Sequence, residues 1–298
     1  MTAPALVRRA LWAACLLAPL APAAARPLPL PPAIYADPVH DGAHPARMEV
    51  LHIPSGGVEI NGVAYLASGA APRPTVVICH GFPGNEKNLD LAQALRRAGW
   101  HAITFNYRGS WGSPGTFRFA QNPQDLQAVL AYLRDPANAR RLGIDTAHMA
   151  VVGHSMGGWV TAMAGSQDKG LVALGLISAA NFGQIGRMAP EPRVKMMSEN
   201  METLASTPQA LSEELGVHVA DYDFTSRAAA LAGKPLLVLT SDDGLAGDVA
   251  PLMAAIRKAG GKKLQTGHGA TDHSWSDRRI DLEARIIRFL TPYLHSGA

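Results

Sequence analysis

An alternating series of strand and helix patterns predicts a mainly parallel α/β sheet that is covered by helices on both faces. Short apolar runs of the kind found in strands buried on both faces recur along the chain, and amphipathic helical patterns separate them. The chain has 298 residues, of which 47% are hydrophobic and 17% are charged. This length and composition are sufficient for one large hydrophobic core.

The strand patterns begin with two extended runs between Arg47 and Leu66, and the Ser55-Gly56-Gly57 turn between them predicts a hairpin. Buried-strand runs follow at 75–79, 101–105, 149–152, 171–177, 235–239 and 263–266. Helical stripes fall at 91–98, 125–133, 249–259 and in the C-terminal part of the chain. The last of these stripes is expected to bury Ile280, Ala284, Ile286, Ile287 and Leu290.

One segment interrupts the alternation. Residues 181–232 separate two sheet strands by far more than one crossover helix needs. Val194, Met197, Met201 and Leu204 fall on one helical face, so we expect an inserted helical cap between core segments 47–180 and 233–298. Its Met side chains would either line an adaptable apolar site or pack the insert onto the core, and we prefer the packing role.

Residues 1–25 have the pattern of a secretory signal peptide. Arg8-Arg9 precedes an apolar run from Ala10 to Leu20, and Ala23-x-Ala25 matches the small residues before a cleavage site near Arg26. An uncleaved membrane anchor is the alternative, but the run is too short to span a bilayer comfortably. The sequence therefore predicts a periplasmic or secreted protein with no stable membrane anchor after cleavage.

The mature chain gives no sign of nucleic-acid or metal binding. Removing residues 1–25 takes away two arginines and no acidic residue, so the formal charge falls from +3 to +1. One cysteine, Cys79, remains, and no Cys or His spacing is typical of a metal site or a disulfide framework. We expect no cofactor. Residues 26–46 are rich in Pro and His and predict a linker or surface arm.

A candidate nucleophile lies in Gly153-His154-Ser155-Met156-Gly157, which has the form G-x-S-x-G. An apolar run, Met149 to Val152, precedes it and a helical pattern follows it. A serine on a sharp turn between a strand and a helix projects its hydroxyl clear of the sheet, and the flanking glycines allow close backbone approach. This context predicts Ser155 as the nucleophile.

A serine hydroxyl needs a base within hydrogen-bond reach, and that base needs an orienting acid. Two acids, Asp242 and Asp243, follow the strand at 235–239. We prefer Asp243 as the orienting acid, because the spacing in Thr240-Ser241-Asp242-Asp243 best fits the turn that presents this acid in such a fold. Two histidines, His268 and His273, follow the last strand, and we prefer His273, just before the final helix. His154 is expected to be a packed neighbour of Ser155 rather than the base.

Acyl transfer also needs donors for the oxyanion of the tetrahedral intermediate. The backbone N–H of Met156 comes with the serine turn. The second donor is expected from the loop His80-Gly81-Phe82-Pro83-Gly84, which directly follows the strand at 75–79. We assign it to the Phe82 N–H, since Pro83 has no N–H to donate.

In these residues and their order, the chain resembles the α/β-hydrolase superfamily over about residues 47–294. The resemblance is carried by the stretches His80–Gly84, Tyr107–Ser110, Gly153–Gly158, Asp242–Gly244 and Asp272–Ser274, and by the chain order serine, acid, histidine. The chain looks most similar to small esterases and to dienelactone-hydrolase-like and serine-peptidase-like members. Arg108 would either help to wall a pocket or hold its loop by hydrogen bonds, and we prefer the second role.

The expected activity is therefore that of an exported serine hydrolase that cleaves an ester or related acyl bond of a small-molecule substrate. A peptidase or acyltransferase on the same triad is the first alternative. A non-catalytic binding protein that kept the fold is the second, and it is disfavoured because candidates for every triad role are present. The sequence carries no signal of oligomeric state.

Overall fold

One eight-stranded sheet organises the chain in the computed structural model, which describes residues 29–294. In chain order the strands are β1 Arg47–Ser55, β2 Val58–Leu66, β3 Arg73–Cys79, β4 His101–Phe105, β5 Ile144–His154, β6 Leu171–Ile177, β7 Leu236–Ser241 and β8 Leu264–Gly269. Their order across the sheet is β1-β2-β4-β3-β5-β6-β7-β8. The pairs β1–β2 and β2–β4 are antiparallel, and the remaining neighbours are parallel. The predicted α/β-hydrolase fold is confirmed.

Ten α-helices lie within residues 29–294. They are α1 Leu89–Arg97, α2 Asn122–Arg134, α3 Pro136–Leu142, α4 Met156–Gly165, α5 Phe182–Gly186, α6 Pro190–Ser198, α7 Pro208–Val217, α8 Ala228–Leu231, α9 Ala246–Lys258 and α10 Arg279–Leu290. None of the helices in this range is both long and apolar enough to cross a membrane. The signal peptide expected at residues 1–25 lies outside the described residues and stays a prediction.

Helices cover both faces of the sheet, which explains why the sequence of β3 contains an unbroken apolar run. Val77 and Cys79 belong to a buried cluster with side chains of α2, α4 and α9. Val76 and Ile78 belong to a second buried cluster with side chains of α1 and α10. Because successive strand residues point to opposite faces, a strand covered on both sides has no position for a polar alternation.

The predicted hairpin is confirmed. β1 and β2 pair from Ser55–Val58 outward, with positive φ at Gly56 and Gly57, as a two-residue hairpin turn requires.

The C-terminal helix differs from its predicted apolar stripe at one position. In α10, Ala284, Ile286, Ile287 and Leu290 are buried as expected. Ile280, however, is 56% exposed, because residues 276–278 and the first turn of α10 lie at the surface.

The segment between β6 and β7 is helical, but its predicted helical face is interrupted. Helix α6 ends at Ser198, so Met201 and Leu204 do not continue the stripe of Val194 and Met197. The chain after α6 instead pairs with the loop that follows β4. The Ala205 N–H donates to the Gly109 carbonyl at 2.8 Å, and Leu204 forms a β-bridge with Ser110. These backbone hydrogen bonds replace those of another helical turn.

The loop after β4 is fixed by a buried ion pair. The Arg108 Nε donates to Asp125 Oδ1 at 2.6 Å, and the same carboxylate accepts the Arg108 N–H and the Ser55 hydroxyl. Both charged side chains are nearly inaccessible to solvent. The expectation that Arg108 holds its loop by hydrogen bonds is confirmed.

Two glycines allow β3, β5 and the start of α4 to approach closely. A Cβ atom at Gly157 would lie 2.0 Å from the Cys79 carbonyl oxygen, and one at Gly153 would lie 1.9 Å from the Gly157 carbonyl oxygen. Both neighbours are backbone atoms, which cannot rotate away. Glycine is therefore required at both positions for the turn at Ser155 to pack against β3.

We predict that Gly157→Ala lowers the free energy of unfolding by about 3 kcal/mol or more, at the upper end of overpacking effects. The matched control is Gly247→Ala in α9, where a Cβ atom would meet nothing within 4 Å. That change should be neutral or stabilise the protein by up to about 1 kcal/mol, because alanine is the better helix former. Urea denaturation followed by circular dichroism measures both variants. Equal stability of Gly157→Ala and wild type would show that the close approach is not a constraint.

Candidate active site

Ser155 lies at the carboxyl edge of the sheet, between the last residue of β5 and the first residue of α4. Its backbone has φ 56° and ψ −119°, a conformation that residues with a Cβ atom rarely adopt. Two hydrogen bonds to the end of β6 and the residues after it hold the Ser155 backbone. The Ser155 N–H donates to the Ile177 carbonyl, and the Ser155 carbonyl accepts the Ala180 N–H. The sharp strand-to-helix turn expected from the G-x-S-x-G pattern is present.

Asp243 and His273 are brought together from two loops at the same sheet edge. Asp243 follows β7, and His273 lies between β8 and α10. The His273 Nδ1 atom lies 2.7 Å from Asp243 Oδ2, and the carboxylate side chain is only 4% exposed. Since a carboxylate accepts this bond, Nδ1 carries the proton and Nε2 keeps a free lone pair. An imidazole in that tautomer can accept a proton at Nε2.

The Asp243 carboxyl group is ionised over the whole neutral range. Burial raises the pKa of this group, but hydrogen bonds from the His273 ring, the Leu245 N–H and the Ser241 hydroxyl outweigh that effect and lower it to about 2. The Leu245 N–H donates to Asp243 Oδ1 at 2.9 Å, so the two carboxylate oxygens have separate partners. This arrangement fixes the carboxylate in orientation as well as in charge.

The other candidates, Asp242 and His268, form a separate pair. The His268 Nε2 atom lies 3.0 Å from Asp242 Oδ1, and these side chains are 50% and 63% exposed, respectively. The His268 Nδ1 atom lies 2.9 Å from the Thr240 hydroxyl. The structure thus sorts two acids and two histidines into one pair with a buried carboxylate and one exposed pair. Asp243 and His273, the residues preferred from the sequence, are partners.

His154 contacts the His273 loop, which sequence reasoning did not anticipate. The His154 Nε2–H donates to the His273 carbonyl at 2.8 Å, and the two ring centroids are 4.7 Å apart. Burial lowers the pKa of His154 to about 4, so the ring is neutral at pH 7. The residue next to Ser155 in sequence therefore positions the backbone of His273. No local pattern identifies this role, because the contact joins residues 119 positions apart.

Two further side chains anchor the same loop. The Arg279 guanidinium donates to the Ser274 carbonyl at 2.9 Å and to the Asp90 carboxylate of α1. Trp275 is fully buried, and its indole N–H donates to the Ser178 hydroxyl at 3.0 Å. His273 is thus carried on a loop that is tied to β5, to α1 and to the end of β6.

The two expected oxyanion donors lie on segments that flank Ser155. Met156 is the first residue of α4, so its N–H has no acceptor within the helix. Among residues 29–294, the Phe82 N–H has no hydrogen-bond acceptor either. The preceding residue, Gly81, lies so close to Ser155 that a Cβ atom there would be 2.9 Å from the Ser155 Cβ. Both free N–H groups therefore belong to backbone that adjoins the serine.

A chain of aromatic rings leads from this loop to the segment between β6 and β7. Phe82 contacts Phe119 at a centroid distance of 5.4 Å, and Phe119 contacts Phe182 at 4.7 Å. Phe182 in turn packs against Trp159, which contacts Tyr222. Phe119, Phe182, Trp159 and Tyr222 are buried, so these contacts pack the segment between β6 and β7 onto the core next to the loop that carries Phe82. Within residues 29–294, no group of three His, Cys, Asp or Glu side chains is placed to hold a metal ion.

Comparison with known proteins finds partial sequence relatives and solved structures with a similar fold. The chain is 27% identical over 114 residues to an uncharacterised protein of Mycobacterium tuberculosis, a match that covers 38% of this chain and only 39% of that protein. Among solved structures, a Pyrococcus furiosus esterase superposes with a TM-score of 0.63 at 16% identity, covering 84% of this chain and 92% of that one. The acylaminoacyl peptidase of Pyrococcus horikoshii gives 0.62 at 14% identity, covering 85% of this chain and 42% of that one.

At these sequence identities the structural similarity shows the fold alone. The family is assigned by a match of the sequence to a protein-family model. The model described as serine aminopeptidase S33 matches residues 70–234, which is more than half of the chain. That range includes Phe82 and Ser155 and ends before Asp243 and His273. The chain therefore belongs to the serine aminopeptidase S33 family of α/β-hydrolases.

Proposed function

We propose that the protein is an exported serine hydrolase that cleaves an ester or a related acyl bond of a small molecule. The observation that carries this proposal is the 2.7 Å pairing of Asp243 with His273, on a loop that His154 ties to the serine turn. A buried carboxylate, an oriented imidazole and a serine in a sharp strand-to-helix turn are the parts of a nucleophilic triad.

The mechanism follows from the roles that the geometry allows. Ser155 Oγ attacks the substrate carbonyl carbon while His273 Nε2 accepts the hydroxyl proton. Asp243, ionised because of its low pKa, stabilises the imidazolium that forms. The free N–H groups of Phe82 and Met156 stabilise the oxyanion of the tetrahedral intermediate. The imidazolium then protonates the leaving group, and a water molecule, activated by His273, hydrolyses the acyl-enzyme.

The substrate side of the proposal rests on residues 181–232. We propose that this segment acts as a cap, because its Phe182 and Tyr222 rings belong to the chain of aromatic contacts that begins at Phe82. Phe82, the partly exposed member of that chain, favours a substrate with an apolar group next to the scissile bond. A peptidase is the second candidate, since the matching family model is described as a serine aminopeptidase. Parallel assays with p-nitrophenyl esters and aminoacyl p-nitroanilides distinguish the two.

The nucleophile is tested by active-site labelling. A fluorophosphonate probe should label wild type, because an activated serine attacks its phosphorus atom, and Ser155→Ala should abolish both labelling and hydrolysis. Ser166→Ala is the matched control, since that serine is also buried, at the end of α4, but its hydroxyl donates to the Met163 carbonyl. Full labelling of Ser155→Ala would contradict the proposal. Failure of wild type to be labelled would favour a binding protein.

The choice of acid is tested by comparing two neighbouring substitutions. Asp243→Asn should lower kcat by about 10⁴-fold, the loss seen when a triad carboxylate becomes an amide and the imidazole tautomer is disturbed. Asp242→Asn should change kcat by less than about threefold, because its partner is the exposed His268. Steady-state kinetics on one p-nitrophenyl ester measures both. If Asp242→Asn alone lost activity, the assignment of Asp243 would be wrong.

Export is the part of the proposal that rests on sequence alone. Arg8-Arg9, the apolar run after it and Ala23-x-Ala25 support secretion with cleavage before Arg26. N-terminal sequencing of protein recovered from the periplasm or the medium should begin at Arg26. A chain that begins at Met1 would show that residues 1–25 are retained.

A further inference from the structure

Side chains, rather than main-chain hydrogen bonds, hold the loop that carries the Phe82 N–H. In the described part of the chain, no hydrogen bond between main-chain groups involves residues 82–84. At the start of the loop, the Tyr107 hydroxyl donates to the His80 carbonyl at 3.3 Å, and the His80 ring donates to the Gly81 carbonyl at 2.8 Å. The position of the proposed oxyanion donor therefore also depends on the side chains that hold the second half of the loop.

Trp111 holds this second half. Its indole N–H donates to the Pro83 carbonyl at 2.8 Å, and the Thr203 hydroxyl makes a longer contact of 3.4 Å with the same oxygen. The next residue, Gly84, has φ 102°, and a Cβ atom there would lie 2.7 Å from the indole nitrogen. Glycine at this position allows the loop to pack directly against the indole.

The Trp111 backbone and ring are themselves fixed in place. The residue has a positive φ of 49°, which is uncommon for a residue with a Cβ atom. Its N–H donates to the Thr203 carbonyl at 3.0 Å, and its carbonyl accepts the Asn106 side-chain amide at 3.2 Å. The Lys87 ammonium lies 4.0 Å from the centroid of the ring. These contacts keep a rare backbone conformation, and that conformation directs the indole N–H at the Pro83 carbonyl.

We propose that Trp111 is a positioning residue for oxyanion stabilisation, which links segment 181–232 to the loop that carries the Phe82 N–H. The inference rests on the proposed serine hydrolase function. Thr203 belongs to that segment and contacts both Trp111 and the Pro83 carbonyl, so one hydrogen-bonded junction joins the three. An oxyanion donor acts on charge that develops in the transition state, so displacement of the loop weakens transition-state binding more than substrate binding.

Trp111→Phe tests this role, because it keeps an aromatic ring and removes the indole N–H. On a p-nitrophenyl ester, kcat should fall about 10- to 100-fold, at or below the loss of one whole oxyanion donor, while KM changes by less than about threefold. Trp100→Phe is the matched control. That residue is buried directly before β4, at the amino end of the strand, so its loss should affect stability and leave kcat at the wild-type value.

A trifluoromethyl ketone that carries the acyl group of the ester separates positioning from partial loss of folded enzyme. Addition of Ser155 to the ketone gives an oxyanion adduct that mimics the tetrahedral intermediate. Its Ki should rise in Trp111→Phe by the factor by which kcat/KM falls, whereas a smaller folded fraction lowers kcat and leaves Ki unchanged. If Trp111→Phe fails to fold, 3-benzothienylalanine incorporated at position 111 gives the same measurement, because it keeps the shape of tryptophan and lacks the N–H.

The outcomes distinguish this inference from the proposed function. Unchanged kcat in the variant at position 111, or an unchanged Ki for the ketone, would overturn the role of Trp111 while an active, fluorophosphonate-labelled wild type left the proposed function intact. Wild type that neither hydrolyses the esters nor is labelled would overturn the proposed function, and this role with it.

Discussion

The close approach of β3, β5 and the first turn of α4 is the constraint on which the rest of the site depends. Gly153 and Gly157 place no side chain of their own between these backbones, so the turn at Ser155 can be held with a positive φ. That conformation places Ser155 at the sheet edge, beside the Gly81 backbone. The two free N–H groups and the serine are neighbours because the strands are packed to backbone contact.

Histidine protonation organises the region around the serine. His80 and His154 are buried and neutral, and each donates from one ring nitrogen to a main-chain carbonyl. His273 instead donates from Nδ1 to the Asp243 carboxylate, which leaves its Nε2 atom as the acceptor. His80 and His154 are thus neutral structural side chains, whereas His273 is the side chain proposed to transfer the proton.

The two sides of the serine differ in character. Toward the segment between β6 and β7, tilted aromatic rings pack against one another from Phe82 to Trp159. Toward α10, hydrogen bonds and ion pairs from Arg279 and Trp275 hold the His273 loop. The polar side thus carries Asp243 and His273, and the aromatic side carries Phe82, whose N–H is a proposed oxyanion donor.

Sequence alone determined the succession of the strands, the hairpin, and the turn at Ser155, because these follow from local periodicity and from glycine positions. Tertiary structure decided which acid meets which histidine. Asp242 and Asp243 are adjacent, and only the packing of β7 against β8 turns one carboxylate inward and leaves the other exposed. Contacts between distant segments likewise ended α6 at Ser198 and brought His154 to the His273 carbonyl. Such pairings depend on through-space neighbours, which local patterns do not encode.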